Sequence, residues 1–244
     1  MGTSKGYLPP TGQAWSETKR AVTGMVKNNF QRSSIGKAMG KFSNAMMSSN
    51  SGTGGAFSTL SRAGSRSIEF FSNSKLYGFN EALNRAGLQD LVGKSNEEVY
   101  MGLLDYFAGD GSSLDKNIVR DSMSELLMEN MLGVTDEQSF DDIIQNMDMN
   151  KFIVDFITAF TQKSFLTNFS EKIEGLCKNL NEYIKAENII KDFIRVEIER
   201  KYTFEDLSKI EWKSHQGRDF IDRKCREAFE IFKMWKEDLD ENMD

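Results

Sequence analysis

Apolar residues recur at intervals of three and four along most of this 244-residue chain, and nowhere do β-branched and polar residues alternate over a sustained stretch. The first pattern lines one face of an α-helix and the second would be needed for a half-buried strand, so the sequence predicts an all-α fold. Ile35, Ala38, Met39, Phe42, Ala45 and Met46 share one helical face, with Lys37 and Lys41 outside it. Gly36 and Gly40 should weaken that helix by roughly 1 kcal/mol each relative to alanine. Trp15, Thr18, Val22, Met25 and Val26 give Gln13 to Phe30 a similar stripe.

Around these two segments lie stretches with nothing to bury. GTSKGYLPPTG, residues 2–12, holds three glycines and both prolines of the protein, which leaves it extended and without regular structure. SSNSGTGG, residues 48–55, is a low-complexity linker. The chain therefore divides into a flexible, basic, Gly/Ser/Pro-containing N-terminal arm, residues 1–55, with one or two marginal amphipathic helices, and a helical bundle-like body, residues 56–244. The arm's helices are expected to pack on the body or fold on a partner in preference to lying on a membrane or on nucleic acid.

In the body, Phe57, Leu60, Ile68 and Phe71 resume the period after Ala56. Ser95 and Glu98 form a capping box for a helix carrying Val99, Leu103, Leu104 and Phe107, which stops at Ala108-Gly109-Asp110-Gly111. A second helix opens around Ser113 to Asp115 with Ile118, Val119, Ser122, Met123, Leu126 and Leu127 on one face, completing a helical hairpin. Phe140 to Met147 is short, and Phe152, Ile153, Phe156, Ile157 and Phe160 form a strongly apolar face. From Ser170 a long run keeps the period through Ile173, Leu176, Leu180, Tyr183, Ile184, Ile190, Phe193 and Ile194. A cap at Thr203 to Asp206 precedes Leu207, Ile210 and Trp212, and Phe220, Ile221, Cys225, Phe229, Phe232 and Trp235 line a last helix from about Gly217.

Charge is unevenly distributed. Residues 1–75 hold ten Lys/Arg against two Glu, a net +8, while the whole chain is −6, so the remainder carries −14 and ends in an acidic tail from Glu237 to Asp244. A basic arm suits an acidic partner surface, and the body does not suit nucleic acid by bulk electrostatics.

Catalytic motifs are missing. Gly109-Asp110-Gly111 has no P-loop lysine, Asp141 and Asp142 are adjacent and diverge on a helix, and His215 stands beside Trp212 and Lys213 at a helix boundary. Cys177 and Cys225 form no CxxC and have one histidine to share, which excludes a zinc site. With no signal peptide and no apolar run of bilayer length, the expectation is a soluble, cytoplasmic non-enzyme without a membrane contact and without a cofactor of its own.

Met1 precedes a very small residue, so its trimming would leave Gly2 as the free α-amine. Such an amine has a pKa of about 7.7–8.0 and is partly neutral near pH 7, unlike a lysine. Lacking a Cβ, Gly2 can enter a narrow pocket. Gly6 stands where a myristoylation motif needs Ser or Thr, which argues against a lipid.

The opening MGTSKGY with Pro9-Pro10 and Trp15 behind it, the Gly/Ser-rich basic stretch to Gly64, and the block LQDLVGKSNEEVYMGLLDYFAGDGSSLDKNIVRDSMSEL at residues 88–126 together resemble the QatB family. That family is the small component of the Qat anti-phage defence systems, which also encode an ATPase, a QueC-like enzyme (QatC) and a TatD-like nuclease. The resemblance implies a protein substrate. QueC enzymes activate 7-carboxy-7-deazaguanine with ATP, and QatC, holding both molecules, could join the acyl group to Gly2. Thr3, Ser4, Lys5, Gly6, Tyr7, Pro9, Pro10 and Trp15 would then contact the partner. The alternative is an adaptor that holds nucleic acid, or the ATPase and nuclease, through its basic arm and helical body.

Overall fold

The computed structural model describes residues 11–49, 55–109, 111–131 and 140–240. They form α1 (Gln13–Lys27), α2 (Arg32–Ser49), α3 (Ala56–Tyr77), α4 (Phe79–Ala86), α5 (Asn96–Ala108), α6 (Leu114–Met131), α7 (Phe140–Asn146), α8 (Met149–Glu174), α9 (Leu180–Lys201) and α10 (His215–Asp240), and there is no strand among the described residues. The all-α expectation holds. No described helix is long and apolar enough to cross a membrane.

Asn29 and Phe30 adopt left-handed backbone, φ 51° and 56°, and Phe30 N–H donates back to the Met25 carbonyl at 3.0 Å. This closes α1 and folds α2 back along it. The stripe of α2 then meets three helices at once. Phe42 is fully buried, with its ring centroid 6.1 Å from Trp15 on α1, 5.3 and 6.1 Å from Phe165 and Phe169 on α8, and 6.0 Å from Phe229 on α10. α1 and α2 contribute their apolar faces to the same hydrophobic core as the helices after residue 55, in line with the expectation that they pack on the body. Residues 1–10 lie outside the described residues, so the expected arm is reduced there to a statement about sequence.

Gly36 reverses an expectation. A Cβ at this position would collide with the Trp235 ring, so the residue that costs helix propensity makes room for that ring of α10 against α2. Arg32, one turn earlier, lies over the Phe193 and Trp235 rings at 5.3 and 6.0 Å and pairs with the fully buried Glu197 of α9.

The long helix α3 runs through the middle of the body. Phe71 packs edge-on against Phe107 of α5 at 5.6 Å and Phe152 of α8 at 5.1 Å, and Phe57 meets Phe229 at 5.0 Å. On its α10 side, Ser61, Gly64 and Ser65 keep the contact thin, and Ser65 Oγ donates to the Trp212 carbonyl at 3.2 Å. The capping box of α5 is formed as expected, with Glu98 N–H on Ser95 Oγ at 3.3 Å and Ser95 N–H on the Glu98 carboxylate at 3.1 Å. All six stripe residues of α6 are buried.

The run from Ser170 is not one helix. Gly175 to Cys177 close α8 with backbone turns, and Asn179 starts α9 by accepting from Glu182 N–H at 2.9 Å. Leu176, Leu180 and Ile184, expected on a continuous apolar face, are consequently exposed.

Candidate functional site

Of the residues assigned to a partner by sequence, Gly2, Thr3, Ser4, Lys5, Gly6, Tyr7, Pro9 and Pro10 lie outside the described residues. Trp15 is described, and its side chain lies in the core. It is 5 % exposed, its ring lies 6.2 Å from Phe169, and its indole N–H donates to Ser49 Oγ at 3.2 Å. The residue is an anchor that pins the start of α1 to the end of α2. An aromatic side chain that fills a core pocket presents no face to a partner.

A different cluster, missed by sequence, forms where the end of α9 meets α10. After Lys201 the chain turns extended at Tyr202, φ −70° and ψ 130°, and the Asn150 side-chain amide donates to the Glu205 carbonyl at 3.1 Å. This lays Tyr202 to Glu205 along α10. Lys224, only 2 % exposed, reaches the Thr203 carbonyl at 3.0 Å, Glu205 at 2.6 Å and Glu227 at 3.1 Å, and sits 4.9 Å over the Tyr202 ring. Arg223 makes parallel 2.9 Å and 3.1 Å bonds to Glu205 and a third, of 2.9 Å, to Glu227. A buried ammonium is tolerated because three oxygens replace its water. The signal was a lysine inside an apolar stripe, between Phe220 and Ala228 at four-residue spacing. Its oxygen partners come from a loop that sequence spacing could not place.

Bonds from Arg223 and Lys224 hold the Glu205 carboxyl down at about 2. The Tyr202 phenol is pushed well up, first by burial and then by the Glu205 and Glu227 charges, and its hydroxyl has no partner among the described residues. Because the Glu205 value is depressed on folding, its stabilisation is fully present above about 4.5 and is lost as pH falls from there towards about 2. Glu205→Gln should therefore be less stable than the parent at neutral pH, with the gap closing across that acid window in urea titrations. A gap that stays constant down to pH 2 would contradict the assignment.

Beside this cluster opens a cavity of about 790 Å³ whose apolar wall is Met47, Tyr202, Ala228, Ile231 and Met234. A second hollow, of about 490 Å³, lies between α1 and α2, lined by Arg20, Lys37 and Lys41 with Glu17. One of its charges is compensated, since Lys41 and Glu17 pair at 2.6 Å.

Neither place assembles reactive groups. Among the described residues no cluster of three His, Cys, Asp or Glu could hold a metal. Burial pushes both thiols up, Cys225 most strongly, which is the opposite of an activated nucleophile.

No curated protein and no solved structure matches this chain. The family model of the Qat anti-phage system associated protein QatB matches residues 48–232, from the end of α2 to the Phe232 turn of α10. The matched span contains the capping box, the α5–α6 hairpin and the Lys224 cluster, and on this match the chain belongs to the QatB family and is a component of the Qat anti-phage defence system.

Proposed function

We propose that this chain is a non-enzymatic, cytoplasmic protein substrate within the Qat system, and that Gly2, exposed by removal of Met1, accepts a 7-deazaguanine acyl group from a QueC-like partner. The observation that carries the proposal is the pairing of a Met-Gly opening with Trp15, which anchors α1 thirteen residues behind Gly2. The eleven residues from Gly2 to Gly12 can span about 36 Å when extended, enough to enter a deep site while the helical body docks outside. The partner would bind ATP and 7-carboxy-7-deazaguanine and activate the carboxylate. The Gly2 amine then attacks the carbonyl carbon, an amide C–N bond forms, the activating group leaves and the amine gives up a proton. Thr3, Ser4 and Lys5 would lie along the partner's pocket. The ATPase and TatD-like nuclease are the further partners this membership suggests.

Intact mass and N-terminal peptide mapping after co-expression with the QueC-like enzyme test the proposal. The expected result is a partner-dependent mass increase confined to the peptide containing Gly2. An unmodified Gly2 in both samples overturns it. The α1–α2 hollow with Arg20, Lys37 and Lys41 favours the adaptor reading in that event, and DNA affinity that falls steeply with salt would identify it.

A further inference from the structure

The cavity beside Lys224 has one aromatic ring in its wall, Tyr202, and a second ring packs against that one from outside the lining. Phe204, 64 % exposed, stands edge-on to Tyr202 with ring centroids 5.6 Å apart. Met234, 47 % exposed, and Met47, from the end of α2, also line the cavity. Apolar grooves with an aromatic ring in the wall bind proline-containing extended segments, because such a segment is already stiff and loses little entropy on docking.

We propose that the occupant of this cavity is the chain's own segment Tyr7-Leu8-Pro9-Pro10. It holds both prolines of the protein. The point from which it enters the body is also correct: the indole bond from Trp15 to Ser49 sets the start of α1 at the end of α2, two residues from Met47. Thr11 and Gly12 leave about 10 Å of extended chain between Pro10 and the first residue of α1, so the segment can reach only a surface next to the end of α2. The other segment next to Met47, residues 50–54, is Asn-Ser-Gly-Thr-Gly and has no large apolar side chain to fill the trough. Docking at Tyr7 to Pro10 would leave Gly2 to Gly6 as a free leader about 16 Å long. The cavity thereby fixes how far, and from which side, the amine is presented. Docking needs no chemistry at Gly2 and stands or falls separately from the acceptor role.

The test places the photo-crosslinking residue p-benzoylphenylalanine at position 7 of the full chain, irradiated at low concentration without any partner. A crosslink within one chain, mapping to Phe204 or to residues 226–234, is the expected result. In the double variant Phe204→Ser, Met234→Ser its yield should fall about tenfold, equivalent to ~1.4 kcal/mol of docking. Both replaced side chains are largely exposed, and circular dichroism should confirm an unchanged fold. A crosslink only between two chains would assign the cavity to a second copy and overturn the proposal. So would a crosslink elsewhere on the body, or a yield unaffected by the double substitution.

Discussion

Phe42→Ala is expected to lower the unfolding free energy by about 3–5 kcal/mol, the range for deleting a fully enclosed phenylalanine. Four rings from three other helices surround this side chain, and their rigid edges cannot collapse far into the space it leaves. Phe42→Leu, which keeps most of the volume, should cost less than about 1.5 kcal/mol. Denaturant unfolding at constant slope measures both. The comparison has a wider meaning because Phe42 precedes the matched span, which starts at residue 48. If α1 and α2 were an accessory arm, the alanine variant would lose under about 0.5 kcal/mol, as surface substitutions do. A loss in the core range establishes that α1 and α2 complete the fold.

Lys224→Ala is expected to cost about 2–3 kcal/mol, and the size follows from how its partners are placed. Stranding a fully buried charge costs about 3–5 kcal/mol. Here the carboxylates left behind belong to side chains that are 37 % and 50 % exposed, Glu205 and Glu227, and both still hold Arg223. They regain water, so that upper range does not apply. What is lost is the packed stem, the bond to the Thr203 carbonyl and the contact with the Tyr202 ring. Lys224→Met restores the stem and should recover roughly half of the loss. Urea midpoints of the three proteins give the ordering, and a Lys224→Ala variant as stable as the parent would show that the Tyr202–Glu205 segment is not held by this side chain.

The two substitutions also separate two ways in which the chain departs from its sequence reading. Trp15 and Phe42 were visible as members of an apolar stripe, yet a stripe does not say whether its cover is the same chain or another one. Beside a stretch with three glycines and two prolines, Trp15 looked like part of an arm, and only the packing of α2 and α8 over it shows a core. Gly36 was visible as a weak point of a helix. Its purpose depends on Trp235, two hundred residues away, arriving at that turn.

What the sequence by itself determined is local: the all-α class, the α5 capping box formed by residues three apart, the buried faces of α6 and α10, and the Met-Gly opening with its proline-containing continuation. These follow from interactions within one or two helical turns, which spacing encodes directly. Family membership was equally legible, because residues 88–126 carry it as a contiguous string. Tertiary structure alone decided which helices cover α1 and α2, that the run from Ser170 breaks before Leu180, and that Tyr202, Lys224 and Met47 meet around a cavity. Those outcomes depend on which apolar faces bury each other, and burial favours any complementary surface without regard to its distance along the chain.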